Sequence, residues 1–385
     1  MTALAARTHD TVTFHAVELL KEASALTRSG IDVISLGVGE PDFTAAPAVV
    51  TAMTRAARSG KSGYCPPAGL PELREAIARF YATQLSASVD PSRVIVTSGA
   101  SGALLLAAMA LVNPGDEVLM PDPCYPPNRN FVGSAGGTTK LIPTTAASRF
   151  QLSARDIAHH WGPKTRGVLI ASPSNPTGTS IERDELARIF KEVRTRQGFV
   201  MMDEIYLSLS YDGLRQSALS LDDDVIILNS FSKYFNMTGW RLGWMIVPPH
   251  LVAPIEKMAA SLAICAPTLA QHGALACFEP ETLVLYEERR EAFRTRRDFI
   301  VPALESLNIS VPVKPDGAFY VYADISAHSQ DSSVFSQALL HSARVAAVPG
   351  LDFGPAHAAN TMRFAYTTSL ERLQEAMHRI KTYLG

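Results

Sequence analysis

Short, nearly unbroken apolar runs recur through the first two thirds of this chain, and longer mixed segments separate them. Residues 93–97, 117–120, 166–171, 199–202, 225–228 and 241–247 each read as a strand. Their apolar residues are close to continuous rather than alternating, which marks strands covered on both faces. The segments between several of them are long enough for crossover helices. The pattern predicts an α/β fold with a mostly parallel sheet between helices. Helices are expected over 14–28, stopping at Gly30, and between Pro47 and Gly60, with Pro near the start and Gly past the end. Two more are expected from Pro71 to about Leu85 and from the turn at 98–102 to Val112.

Beyond about residue 281 the rhythm changes. A long charged helix carries Glu287, Glu288, Arg289, Arg290, Arg294, Arg296 and Arg297, and its arginines read as a solvated face with i,i+4 pairs. Strands follow at 318–322 and 363–366, as in a smaller α+β unit. The expected division is an N-terminal arm over 1–40 that packs on the small domain, a large domain over 41–280 and a small domain over 281–385.

Composition narrows the function. Lys and Arg number 35 against 37 Asp and Glu, a net charge of −2, so there is no broad basic field for nucleic-acid phosphates. With 47% hydrophobic and 19% charged residues, disorder is not expected. The longest apolar run, 103–112, is too short to span a bilayer. Residues 1–10 contain Arg7, His9 and Asp10 and no apolar stretch, so no signal peptide is expected. Cys65, Cys124, Cys265 and Cys277 lack CxxC spacing and read as free thiols in a reducing cytoplasm. The ten histidines show no metal-ligand spacing, and no metal is expected.

In open α/β sheets, ligands bind beyond the carboxyl ends of the strands. The chemically unusual residues of this chain gather there. Asp203 follows the strand at 199–202, with Tyr206 just after it. Asn175 lies in the loop after the strand at 166–171, and Lys233 follows Ser230, Phe231 and Ser232. The turn at 98–102 opens a helix whose free amides and positive dipole end suit a phosphate. A lysine can form a Schiff base with an aldehyde, and an aspartate can hold a pyridine nitrogen protonated. Donors to a ring oxygen, and an arginine with hydroxyls on a phosphate, complete the needs of pyridoxal 5′-phosphate.

The stretch 230–243 fits the pattern S-x-S-K-x-x-x-M-x-G-x-R-x-G, from Ser230 through Lys233, Met237, Gly239 and Arg241 to Gly243. Other motifs fall in order along nearly the whole chain. They include Gly37 to Phe43, Tyr64 to Leu70, Thr97 to Ser101, Pro121 to Pro126, Ser174 to Gly178, Asp203 to Tyr206 and Met362 to Phe364. On these residues the chain resembles the class I/II aminotransferases of the fold-type-I pyridoxal phosphate enzymes, near the bacterial aspartate/alanine-type members.

The resemblance implies a large domain with a mostly parallel sheet of the seven-stranded type and a smaller α+β domain. It implies that Lys233 forms the Schiff base and moves the proton between substrate Cα and cofactor C4′. Asp203 would pair with the pyridine nitrogen, Asn175 and Tyr206 would bond the ring oxygen, and Tyr125 would stack on the ring. Ala100, Ser101, Ser230, Ser232 and Arg241 would hold the phosphate, with Tyr64 reaching it from a second subunit of a homodimer. Arg363 would clamp the substrate α-carboxylate, aided by Asn175 and the backbone of Gly39. The implied activity is amino-group transfer between an L-amino acid and a 2-oxo acid by ping-pong kinetics, with glutamate and 2-oxoglutarate as a default pair. A carbon–sulfur β-lyase, an aminocyclopropanecarboxylate synthase-like enzyme and an effector-sensing module on the same fold stand as alternatives; Ser174, where such lyases often carry His, favours transfer. Aspartate-specific bacterial relatives often carry a lysine where Ser101 stands, a departure that weakens a dicarboxylate reading. By position, Phe14 and His15 are expected to line a pocket for a small apolar or aromatic side chain.

Overall fold

A computed structural model describes residues 2–5, 7–11, 15–213 and 215–385. Among them the strands are β1 (Ile34–Ser35), β2 (Val94–Thr97), β3 (Glu117–Asp122), β4 (Thr138–Pro143), β5 (Thr165–Ala171), β6 (Phe199–Asp203), β7 (Ile226–Ser230), β8 (Gly243–Ile246), β9 (Tyr320–Asp324), β10 (Val345–Ala346), β11 (Val348–Pro349) and β12 (Thr361–Ala365). Seven form one sheet in the order β2-β8-β7-β6-β5-β3-β4. The pairs from β4 through to β7 are parallel, and β8 runs antiparallel to both its neighbours.

The near-continuous apolar strands are explained by two cores. Val94, Val96, Val168, Ile170, Val200, Met202, Ile227, Trp244 and Ile246 enter one. Their alternate neighbours Ile95, Leu169, Met201, Ile226 and Met245 enter the other, beneath the helix Gly99–Leu111. Successive strand side chains point to opposite faces, so a sheet covered on both sides needs apolar residues at every position.

The expected strands are present with shifted ends. Arg93 belongs to a short 3-10 turn, and Arg241 adopts a left-handed conformation ahead of β8 rather than opening the strand. β9 starts at Tyr320, because Ala318 has a positive φ. β4 has no counterpart in the sequence reading. It is an edge strand in which only Ile142 is buried, so its pattern carries threonines, a lysine and a proline.

A second sheet, β11-β12-β9, is antiparallel, and β1 pairs in parallel with β10. The helix His15–Arg28 starts at Asp352, whose carboxylate accepts from the amides of His15 and Ala16 at 2.8 and 2.7 Å. The helix Pro280–Glu305 corrects one expectation. Arg296 and Arg297 are buried, not solvated. Arg296 makes a forked pair with Asp42 at 2.8 and 2.9 Å, and Arg297 reaches Asp212 at 2.6 Å.

Candidate active site

Sheet register sets the floor of the site. Ala171 and Asp203 lie side by side at the ends of β5 and β6, and Asp203 is in turn beside Leu228, two residues before the end of β7. Gly243 pairs with both Ser230 and Thr97, which carries the row across to the start of the helix Gly99–Leu111. Strand alternation sends Asp203 into the cavity and Glu204 to the other face. There Glu204 is buried and accepts from the Ala218 amide at 2.7 Å and from Ser217 at 3.0 Å.

The helix start is built for an anion. Its N-cap, Ser98, makes no side-chain cap bond, so the first amides lack the usual partner. Gly99 has φ +74°, and a Cβ there would lie 2.6 Å from Arg241 Nη2. The guanidinium therefore rests on the glycine at the mouth of the helix. A Cβ on Gly243 would meet Gly99 C at 2.6 Å and Ala100 N at 2.7 Å, so the strand packs directly on that turn. Ser230 Oγ and Ser232 Oγ stand 2.8 Å apart beside it. Amides, dipole, hydroxyls and Arg241 converge as a phosphate requires.

Lys233 reaches in from the loop after β7. Its Nζ donates to the Gly39 carbonyl at 2.5 Å and lies 5.9 Å from the Tyr206 ring centre. Burial, then the charge of Arg363, pulls its pKa from 10.5 down to about 8, against the pull of Glu40. Burial also raises Asp203 from 3.8 to about 6, although the Ile205 amide and Lys233 act the other way. Burial pushes Tyr125 up to about 12 and lifts Tyr206 well above 10.0.

Arg363, on β12, is buried between the rings of Tyr320 at 4.4 Å and Phe353 at 5.0 Å. It donates to Asn175 Oδ1 and to the Gly37 carbonyl, both at 2.8 Å. Its Nε is buried without a protein partner, a donor left for a ligand carboxylate.

One cavity of about 260 Å³ brings together Gly39, Ala100, Ser101, Tyr125, Asn175, Asp203, Tyr206, Ser230, Ser232, Lys233, Arg241 and Arg363. Tyr64 does not line it and is 82% exposed. Phe14 lies outside the described residues. His15 is exposed, and its amide caps onto Asp352.

Sequence reasoning missed Tyr320, Gly37, Ala16 and Leu20, which also line the cavity. Tyr320 bonds Tyr206 hydroxyl to hydroxyl at 2.8 Å. Its only signal is a polar-tipped ring inside an apolar strand, which does not tell a site from a core.

The residues present fit pyridoxal phosphate: a phosphate cradle that a Cβ would fill, a buried lysine, a buried aspartate and a guanidinium with a spare donor. Comparison with known proteins places the chain among aminotransferases. Residues 31–380 match the family model "Aminotransferase class I and II". The valine–pyruvate aminotransferase of Mycobacterium tuberculosis is 35% identical over 373 residues, 96% of each chain. A crystal structure of an aminotransferase from the same organism superposes with a TM-score of 0.96 at 35% identity, covering 100% of this chain and 99% of that one. The aspartate aminotransferase of Thermus thermophilus with maleate gives a TM-score of 0.94 at 32% identity, covering 100% of both.

Proposed function

The chain belongs to the class I and II aminotransferases, a pyridoxal phosphate-dependent family of the fold-type-I architecture, and on that premise we propose how its own residues carry out the transfer. It moves an amino group between an L-amino acid and a 2-oxo acid by ping-pong kinetics. The observation that carries this reading is the enclosure of Lys233, Asp203 and Arg363 in one cavity with the uncapped helix start.

Bound pyridoxal phosphate would supply an aldehyde for the substrate amine and a ring able to accept the electron pair left at Cα. The amides of Ala100 and Ser101, with Ser230, Ser232 and Arg241, hold the phosphate. Asp203 keeps the pyridine nitrogen protonated, its charge favoured once a cation stands beside it. Asn175 and Tyr206 bond the ring oxygen, and Tyr125 covers the ring face. Arg363 fixes the substrate carboxylate through a forked pair. Lys233 Nζ stands to carry the proton of substrate Cα, which bound pyridoxal phosphate would receive at C4′, and its lowered pKa suits a base working near neutrality.

The catalytic unit in this reading is a homodimer in which Tyr64 reaches the partner's phosphate; its exposure on its own chain supports that. The division into an arm over 1–40, a large unit over 41–280 and a small unit over 281–385 is supported by the two sheets on either side of residue 280 and by the β1–β10 pairing. No helix among the described residues is long and apolar enough to cross a membrane. The four cysteines are free, which supports a cytoplasmic location.

The test is a half-reaction. Cofactor-loaded protein is given one amino acid and no acceptor. Release of about one 2-oxo acid per site, resuming only when a second 2-oxo acid is added, is the expected result. Intersecting rather than parallel double-reciprocal lines would remove the ping-pong assignment. Ammonia and pyruvate released from cysteine conjugates would favour the lyase.

A further inference from the structure

We propose that the site is built for 2-amino acids with a short, neutral, aliphatic side chain, and that Leu20 sets the limit on that side chain. The proposal rests on the aminotransferase reading above and adds the substrate class.

A substrate held by its carboxylate at Arg363 and reacting at Lys233 lies along the strip Gly37–Gly39. Both of its anchors bond that strip. Lys233 Nζ donates to the Gly39 carbonyl at 2.5 Å, and Arg363 Nη2 donates to the Gly37 carbonyl at 2.8 Å. The strip is glycine where it is tightest, since a Cβ on Gly39 would collide with the Tyr320 hydroxyl. The substrate side chain must therefore find room beside the strip.

Leu20 stands there. A Cβ on Gly37 would lie 3.6 Å from Leu20 Cδ2, and both Leu20 and Ala16 line the cavity. These two residues are i, i+4 on the helix His15–Arg28 and so share one face. The wall they form is held firmly. Asp352 caps the helix through both His15 and Ala16 amides, and its neighbour Phe353 underlies Arg363 at 5.0 Å. Wall and carboxylate clamp thus share one support.

A second carboxylate on the substrate would meet the methyl groups of Ala16 and Leu20. An ionised group buried against such a surface loses its hydration without replacement. The cations among the described lining residues are already committed. Lys233 bonds Gly39, Arg241 rests on the helix start, and the donor that Arg363 keeps beyond its bonds to Asn175 and Gly37 is taken by the substrate's own α-carboxylate. A short aliphatic side chain instead gains contact on the same wall, and the bulk of Leu20 excludes longer ones.

The experiment uses the cofactor-loaded dimer with single amino acids. Wild-type kcat/KM for L-alanine and L-valine is expected to exceed that for L-aspartate by about 100-fold or more. Leu20→Ala is expected to raise L-leucine relative to L-alanine by about tenfold, and the volume-conserving Leu20→Met to keep the wild-type order. Calorimetric titration with isovalerate and maleate gives a readout free of turnover, and isovalerate is expected to bind about tenfold more tightly. A wild-type preference for aspartate, tighter binding of maleate, or an unchanged ranking in Leu20→Ala would overturn the proposal. Failure to convert any amino acid would instead count against the aminotransferase reading, and the two titrations would still decide the wall.

Discussion

Lys233 sits in surroundings that oppose its charge, and this has a measurable sign. Its pKa falls from 10.5 to about 8 on folding, with burial the largest cause. Between those values the unfolded chain binds more protons than the folded one, so the cofactor-free protein gains stability as pH rises through that window and loses it as pH falls. Lys233→Met lacks this dependence. Urea unfolding at about pH 7 and about pH 10 should show the wild type gaining on the variant at the higher pH, and an unchanged gap would refute the assignment. Lys233→Ala should lose turnover while keeping cofactor through the phosphate cradle, read as pyridoxal phosphate retained after gel filtration; full turnover in that variant sinks the mechanism. Lys233, Asp203, Asn175 and Arg363 were legible in the sequence because each stands within a contiguous motif beside a strand. Tyr320 was not, because its meaning comes from a contact with Tyr206 across 114 positions.

At the scale of elements, the start of the helix Gly99–Leu111 depends on the absence of a single methyl group. Gly99→Ala would place a Cβ against Arg241 at a positive φ that costs a non-glycine residue about 1–2 kcal/mol. The expected result is faster loss of pyridoxal phosphate, by about tenfold or more on dialysis, with the far-ultraviolet dichroism unchanged. Retention equal to wild type would mean the cradle tolerates the shift. Elements buried on both faces were easy to read, since burial dictates their composition. The edge strand β4 was not, because half-exposure lets threonine, lysine and proline in. The arginines of Pro280–Glu305 misled for a related reason. A helical pattern shows which residues share a face, but Asp42 and Asp212, which draw Arg296 and Arg297 inward, lie far off in sequence.

For the whole molecule, the proposed dimer makes a prediction about Tyr64. On its own chain it is 82% exposed. If it serves the partner's site, Tyr64→Ala and Lys233→Ala subunits complement each other, because a hybrid dimer contains one site with both groups. Random reassembly of the two inactive variants should then restore about a quarter of wild-type activity. Activity that stays at the average of the separate variants would place Tyr64 within its own chain. Dimerisation was an inference from resemblance alone, since one chain's sequence carries no record of what a neighbour contributes.

The cap that Asp352 places on the helix His15–Arg28 joins residues 336 and 337 positions apart. The groups assigned to the phosphate and the ring all lie before residue 242, whereas the substrate wall needs Asp352 and the clamp needs Arg363. As the chain leaves the ribosome, the half of the site that would receive the cofactor is therefore present well before the half that would receive an amino acid. The wall must wait for nearly the last tenth of the polypeptide, and only then can the first helix be fixed in place. A chain that ends before Asp352 therefore lacks both the anchor of the wall and the arginine of the clamp.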